Sequence, residues 1–178
     1  RDSTGGASIG ECKIQYTPGL IMNAVLQVLV ARTEENARLP TKGSEYAAGW
    51  DLYALEDSVV PFRKSVKLRT GIIVAIPDGY EGQVRARSSL GSKGLILPHS
   101  IGTIDADYRG ELFVLMTWIG EGDSYTVKAG ERIAQLLISP IPEVRFDEVS
   151  VEDLGDTKRG TGGFGSLSLI HISEPTRL

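Results

Sequence analysis

The stretch RGTGGFGS, residues 159–166, sets an arginine, a phenylalanine and two hydroxyls among four glycines. Glycine lets backbone N–H groups close around phosphate oxygens, arginine supplies a charged fork, and phenylalanine offers a flat face to a ring. A nucleotide has both ends, so Arg159, Phe164 and Ser166 are candidate nucleotide binders, although the same composition also suits a disordered tail. A second anion-binding pattern lies in ARSSLGSKG, residues 86–94, where Arg87 and Ser88 put a guanidinium and a hydroxyl beside one short helical turn. Capped by Ser88 or Ser89, such a turn aims free N–H groups at an anion. The means of bond cleavage are narrowly bounded. His99 and His171 are the only histidines and Cys12 the only cysteine. A cysteine cluster for zinc and an internal disulfide are excluded, and a Ser-His-Asp triad or a His-based metal site has little to work with. Hydrolysis here would have to use carboxylates and a metal.

The elements that must position these groups are short and β-rich. Runs such as VLQVLVA (25–31), WDLYA (50–54), SVVPF (58–62), SVKLRTGIIVAIP (65–77), EGQVRARS (81–88), LFVLMTW (112–118), SYTVKAG (124–130), RIAQLLISPI (132–141) and VRFDEVSV (144–151) recur between Gly, Pro and Asp punctuation. That spacing predicts an all-β sandwich or barrel, with no amphipathic helix of ordinary length. At 178 residues the chain fits one domain with ragged ends. Its net charge of -4 argues against a polyanion-coating protein, so no nucleic-acid partner is expected and any phosphate site is local. The longest apolar run, residues 20–31, is broken by Asn23 and Gln27 and falls short of the roughly 20 residues a membrane span needs. No membrane partner and no secretory signal are expected, and the reading is of a cytoplasmic protein. Residues 1–21 are polar and aperiodic, begin without methionine, and are read as a non-native or disordered extension before Met22.

Five stretches carry unusual chemistry for their position: AGWDLYA (48–54), ARSSLGSKG (86–94), GTIDADYRGEL (102–112), GERIAQLLI (130–138) and RGTGGFGS (159–166). Singly, each has a dull reading as a strand, turn, hairpin or tail. In this order and spacing, from about Met22 to Ser166, they resemble the five motifs of the trimeric dUTP diphosphatases. The resemblance implies a distorted jelly-roll subunit of the β-clip type, a homotrimer with composite active sites at the subunit interfaces, and Mg²⁺-dependent conversion of dUTP to dUMP and pyrophosphate. Such an enzyme limits uracil in DNA and supplies dUMP for thymidylate synthesis. Residues 22–154 would form the β domain and 155–166 an arm that closes over a site built by the other two chains.

By the same resemblance, Asp105 is the general base that activates water and holds the 3'-hydroxyl, a role in a hairpin that a carboxylate can fill. Tyr108 packs against the sugar and excludes a 2'-hydroxyl, while the backbone of Gly102, Thr103 and Ile104 reads the uracil edge. Arg87 and Ser88 take the α- and β-phosphates, and Ser89 supports the turn. Asp51 holds Mg²⁺ through water, with Gln135 orienting water nearby; one carboxylate is too little charge to bind the ion tightly alone. Arg159 and Ser166 lie near the γ-phosphate, Phe164 stacks on uracil, and Gly165 is a further substrate-binding residue of the arm. Glu111, Asp107 and Arg109 are expected to pair with one another across the interface. Two departures stand out. His99 occupies a position where the family commonly has asparagine, leaving backbone contacts there as the expected role. Residues 167–178, LSLIHISEPTRL, match a reading frame of a transposase adapter and are read as an artefact. Two other readings stay open, a dCTP deaminase of the same fold and a catalytically idle nucleotide-binding trimer.

Overall fold

Alternating apolar residues build most of the chain into strands, since period-two patterning gives each strand one buried face. The computed structural model describes residues 25–162. The strands are β1 (Leu29–Arg32), β2 (Thr41–Lys42), β3 (Trp50–Tyr53), β4 (Ser58–Pro61), β5 (Ser65–Arg69), β6 (Ile72–Ala75) and β7 (Tyr80–Ala86). A four-residue helical turn, α1 (Ser88–Gly91), follows. Then come β8 (Leu95–Ile96), β9 (Ile101–Ile104), β10 (Phe113–Trp118), β11 (Ser124–Val127) and β12 (Arg132–Pro140). Every pairing between them is antiparallel: a five-stranded sheet in the order β2-β3-β12-β7-β9, a three-stranded sheet β5-β10-β8, and the pairs β1-β6 and β11-β4. This is the all-β architecture that the strand spacing suggested and the jelly-roll-like fold that the resemblance implied.

The core forms where the inner faces meet. Leu52, Val84, Ala134 and Leu136 of the five-stranded sheet are buried, as are Leu68 of β5, Val114 and Met116 of β10, and Val60 and Val127 of the β4-β11 pair. Each of the larger side chains among them contributes about 1.5–3 kcal/mol on leaving water. Thr70, also buried, keeps its hydroxyl satisfied by donating to the Leu112 carbonyl at 2.6 Å.

The described chain divides into two units, one ending at Pro142 and one beginning at Glu143. The sequence reading differs from the structure in several places. VRFDEVSV, expected as a strand, pairs with nothing among the described residues, and its Val144, Phe146, Val149 and Val151 are exposed. Hydrophobic alternation alone makes a strand only where a sheet edge is available. The first strand begins at Leu29 rather than Val25. GTIDADYRGEL is not a hairpin: β9 pairs with β7 while β10 pairs with β5 and β8, so the segment between them crosses from one sheet to another. In the second unit, Glu152–Leu154 make a single 3₁₀ turn. Met22, Cys12, Phe164, Gly165, Ser166 and the terminal 167–178 lie outside the described residues.

Candidate active site

One register row runs across the five-stranded sheet: Thr41 of β2 opposite Asp51 of β3, Asp51 opposite Gln135 of β12, Gln135 opposite Arg85 of β7, and Arg85 opposite Ile101 of β9. Residues directly opposite share a face, so the row displays a carboxylate, an amide and a guanidinium on the side away from the Leu52–Leu136 core. An irregularity adds a fourth group. Arg132 pairs with Tyr53 and Ala134 with Leu52, leaving Ile133 as the extra residue of a β-bulge. Ile133 and Ala134 are therefore both buried, while Arg132 is turned onto the Asp51 face. Bulges next to functional sites commonly re-aim a side chain in this way.

Asp51 is the buried pivot. Its Oδ1 accepts from Arg87 Nε at 3.0 Å and its Oδ2 from Arg132 Nη1 at 3.2 Å. The Arg87 guanidinium also donates to the Arg132 carbonyl at 3.3 Å and to Ser89 Oγ at 3.4 Å. Gln135 donates from Nε2 to the Ala86 carbonyl at 3.1 Å, and its Oε1 lies against Gly49 so closely that a Cβ there would collide with it. The amide is thus held by backbone, and its oxygen is left as an acceptor. These residues line a cleft of about 500 Å³ walled on one side by the small residues Gly43, Ala47, Ala48 and Gly49.

The helical turn beside the cleft differs from expectation in one respect. Its N-cap is Arg87, in extended conformation, and neither serine caps it. The turn begins at Ser88 because Leu90 and Gly91 both donate to the Arg87 carbonyl. Ser88 and Ser89 are first-turn residues, whose N–H groups have no intrahelical acceptor, and both line the cleft.

The remaining candidates lie elsewhere on the first unit. Gly102, Thr103 and Ile104 belong to β9, the last strand of its sheet, with no strand on its other side among the described residues. His99 is exposed and its ring lies over Gly102, Nε2 being 3.1 Å from where a Cβ would stand. Asp105 follows β9 in a turn closed by Tyr108 N–H donating to the Asp105 carbonyl at 3.1 Å, and its exposed carboxylate has no hydrogen-bond partner among the described residues. Tyr108 donates its hydroxyl to the Glu111 carbonyl at 3.0 Å and covers Gly110, where any Cβ would strike the ring.

Within one chain Glu111, Asp107 and Arg109 do not pair with one another; the expected pairing across an interface concerns a second copy. Glu111 accepts from Arg69 Nη2 at 3.0 Å and from the Gly71 N–H at 2.9 Å, while Arg109 folds onto the Ala106 and Tyr108 carbonyls. The nearer partners win because they sit in the same loop or the adjoining β5–β6 turn. Burial pushes the Glu111 carboxyl up, but Arg69 and the backbone N–H groups of Gly71 and Thr70 outweigh it and hold it below the ordinary carboxylate range. Glu111 consequently ties the loop carrying Asp105 and Tyr108 to the core. In the second unit Arg159 donates to the Gly162 carbonyl at 2.7 Å.

Asp51, Arg87, Ser88, Ser89 and Gln135 therefore come together in one cleft, and the β9–Asp105–Tyr108 group does not line it. Arg85 and Arg132 line the cleft as well, and the sequence reading passes over both. Arg85 had a signal: in EGQVRARS it alternates in phase with Gln83 and Arg87. Arg132 had none, since the bulge that exposes it leaves no mark in RIAQLLI. Among the described residues no group of three or more Asp, Glu, His or Cys gathers to hold a metal. Mg²⁺ does not demand one, because it keeps most of its waters and takes further oxygens from substrate phosphates. A carboxylate oxygen that accepts one arginine N–H has a second lone pair for a metal-bound water, so Asp51 and the Gln135 oxygen fit the ion in that indirect way.

A carboxylate and an amide beside an arginine–serine turn, on the open face of an antiparallel sheet, make a site of the kind nucleotide phosphohydrolases use. The dUTPase family pattern matches residues 35–167, and the chain belongs to the dUTPase family. It is 44% identical over 135 residues to the deoxyuridine 5'-triphosphate nucleotidohydrolase of Zymomonas mobilis subsp. mobilis, covering 75% of this chain and 90% of that one. Among solved structures, a mutant dUTPase of Staphylococcus bacteriophage 80alpha with dUpNHpp superposes with a TM-score of 0.70 at 29% identity, covering 79% of this chain and 98% of that one. A mutant dUTPase from phage phi11 of S. aureus, described for its coordination of a structural Mg(II) ion, superposes with a TM-score of 0.64 at 27% identity over 69% of this chain and 96% of that one.

Proposed function

We propose that this chain hydrolyses dUTP to dUMP and pyrophosphate, at sites that each draw residues from more than one copy in a homotrimer. The observation that carries the reading is the gathering of Asp51, Arg87, Ser88, Ser89 and Gln135 in one cleft of a dUTPase-family fold. The division of labour follows from chemistry. Arg87 and the Ser88–Ser89 turn receive phosphate oxygens, with Arg85 and Arg132 raising the local positive charge. The Asp105 carboxylate, free to accept, takes a proton from water as its oxygen bonds to the α-phosphorus and the bond to the α,β-bridging oxygen breaks. Pyrophosphate leaves and dUMP remains. The free side of β9 offers N–H and C=O groups in fixed register for the uracil edge, a task that needs an unpaired strand. The Tyr108 ring, fixed by its hydrogen bond to Glu111, stands against the sugar. Bound Mg²⁺ would neutralise phosphate charge and restrain the triphosphate, and Asp51 and Gln135 would hold it through water.

The separation of Asp105 from the cleft supports the composite site: one copy supplies the phosphate end, a second the base end. Arg159, Phe164, Gly165 and Ser166, with the arm 155–166, complete it over the triphosphate and the base. Residues 22–154 form the catalytic unit, 1–21 are an extension, and 167–178 an adapter-derived artefact. The cysteine-poor composition suits the reducing cytoplasm, where we place the activity. The test is a product assay. Pyrophosphate release from dUTP in the presence of Mg²⁺, with UTP, dTTP and dCTP turned over far more slowly, is the expected outcome. Comparable turnover of UTP and dUTP would remove the assigned role of Tyr108, and ammonia release from dCTP would replace the reading with a deaminase.

A further inference from the structure

The loop between β9 and β10 carries Asp105 and Tyr108, and its hydrogen bonds turn inward. Tyr108 N–H donates to the Asp105 carbonyl, Arg109 to the Ala106 and Tyr108 carbonyls, and the Tyr108 hydroxyl to the Glu111 carbonyl. Among the described residues, no hydrogen bond from 105–110 reaches beyond Glu111. The loop is therefore anchored at its far end by what holds Glu111 and Leu112. Leu112 is held by its main chain, its N–H donating to the Ile72 carbonyl at 2.8 Å and its carbonyl accepting from the Thr70 hydroxyl at 2.6 Å. Glu111 is held by its side chain. Arg69, at the end of β5, forks onto it with Nε 3.2 Å from Oε1 and Nη2 3.0 Å from Oε2, and the Gly71 N–H adds a bond of 2.9 Å. The same Nη2 lies 2.7 Å from Oε1 of Glu34, in the turn after β1. One guanidinium thus sits between two carboxylates from separate parts of the chain. The Glu111 side chain is only 13% exposed, whereas that of Glu34 is 45% exposed, so the Glu111 pairing is the one that water screens less.

We propose that Arg69 is a positioning residue for substrate discrimination: through the Glu111 carboxylate it fixes the carbonyl that holds the Tyr108 ring, and so sets how strongly the site rejects a 2'-hydroxyl. Glu34 steadies the guanidinium from the other side. The inference rests on the dUTP reading, in which that ring stands against the sugar. Neither Arg69 nor Glu34 lines the cleft, so both act at a distance. Without Arg69 the Glu111 carboxylate keeps the Gly71 N–H alone in a place largely shut off from water. A charge left so turns toward solvent, and the turn carries the Glu111 carbonyl and the tyrosine with it. Lysine would restore the charge and not the two-pronged geometry.

The test compares the full chain with Arg69→Ala, Arg69→Lys and Glu34→Gln, measuring kcat and KM for both dUTP and UTP. In Arg69→Ala the preference for dUTP, as the ratio of the two kcat/KM values, should fall roughly tenfold. Arg69→Lys should recover part of that preference, and Glu34→Gln should lower it about twofold, as an exposed partner does. A role confined to stability would reduce the folded fraction and slow both substrates alike, leaving the ratio where it was. Tyr108→Phe lacks the hydroxyl that the Glu111 carbonyl accepts, so adding Arg69→Ala to it should lower the ratio little further. An unchanged ratio in Arg69→Ala, or full additivity with Tyr108→Phe, overturns the proposal and leaves dUTP hydrolysis standing. Amide exchange gives a readout free of substrate: the Gly71 and Tyr108 N–H groups should exchange about tenfold faster in Arg69→Ala, with β7 and β12 unaffected. Faster exchange in a chain whose wild type does not hydrolyse dUTP would keep the anchor and remove the dUTP reading, whereas unchanged exchange removes the anchor. Should the alanine variant not fold, Arg69→Lys and Glu34→Gln decide by the same two readouts.

Discussion

Asp105 and Glu111 sit six positions apart in one loop and have opposite circumstances. Asp105 is exposed and has no hydrogen-bond partner among the described residues, which suits the proposed role of accepting a proton from water. Asp105→Asn keeps the shape and removes the basicity, so turnover should fall by about 10²–10⁴-fold while nucleotide affinity, measured by titration with a non-hydrolysable analogue, holds. Glu111 is enclosed and fully engaged by Arg69 and Gly71. Replacing it with glutamine should cost about 1–3 kcal/mol of stability at pH 7, read from urea melts. Its carboxyl titrates below the ordinary carboxylate range in the folded chain. The charged form is therefore favoured by folding. That contribution is complete above an unfolded value of about 4.3 and is lost as pH falls through the lowered folded value. The gap between wild type and Glu111→Gln should narrow accordingly below about pH 4.

At the scale of elements, the bulge in β12 decides which way Arg132 faces. Deleting Ile133 would restore strict alternation with Arg132 still opposite Tyr53 on the Asp51 face, and would take a fully buried side chain out of the core. The expected loss is about 2–5 kcal/mol, seen as a large drop in melting temperature, because the core loses a buried isoleucine while the Arg132–Asp51 pair is kept. The same bulge shows where sequence legibility ends. Strands with clean alternation, β7 (YEGQVRA) and β10 (FVLMTW), were readable because each has one buried face. The residues of the cleft were readable as motifs, since Asp51, Arg87 and Gln135 sit at spacings that few other patterns share. Arg132 was not readable, because its exposure depends on a register shift between two strands far apart in sequence. VRFDEVSV looked like a strand, yet pairing requires an unoccupied edge that a linear pattern cannot reveal. The hairpin expected around Asp105 failed for a related reason: adjacent runs were assumed to pair, and each found a partner from another part of the chain.

At the scale of the whole molecule, the division of residues predicts complementation. If the phosphate end and the base end of each site come from different copies, Arg87→Ala and Asp105→Asn chains should each be nearly inactive alone. Mixed after unfolding and refolded together, they should regain about a quarter of wild-type activity, since a site assembled from two independently drawn chains is intact in that fraction of cases. Activity no higher than the separate variants would mean that each copy holds a complete site. The side of β9 that pairs with no strand among the described residues has a further consequence, one that concerns solubility. A row of spare N–H and C=O groups is a template on which any extended chain can add itself, and proteins usually cover or blunt such edges. If this edge reads the base as proposed, it cannot be blunted without blinding it. The chain limits the hazard by other means: β9 is only four residues long, carries a glycine at its second position, and is overhung there by the His99 ring. A nucleotide seated on that edge as proposed would also guard it against self-association, so aggregation should be slowest in the presence of a bound nucleotide.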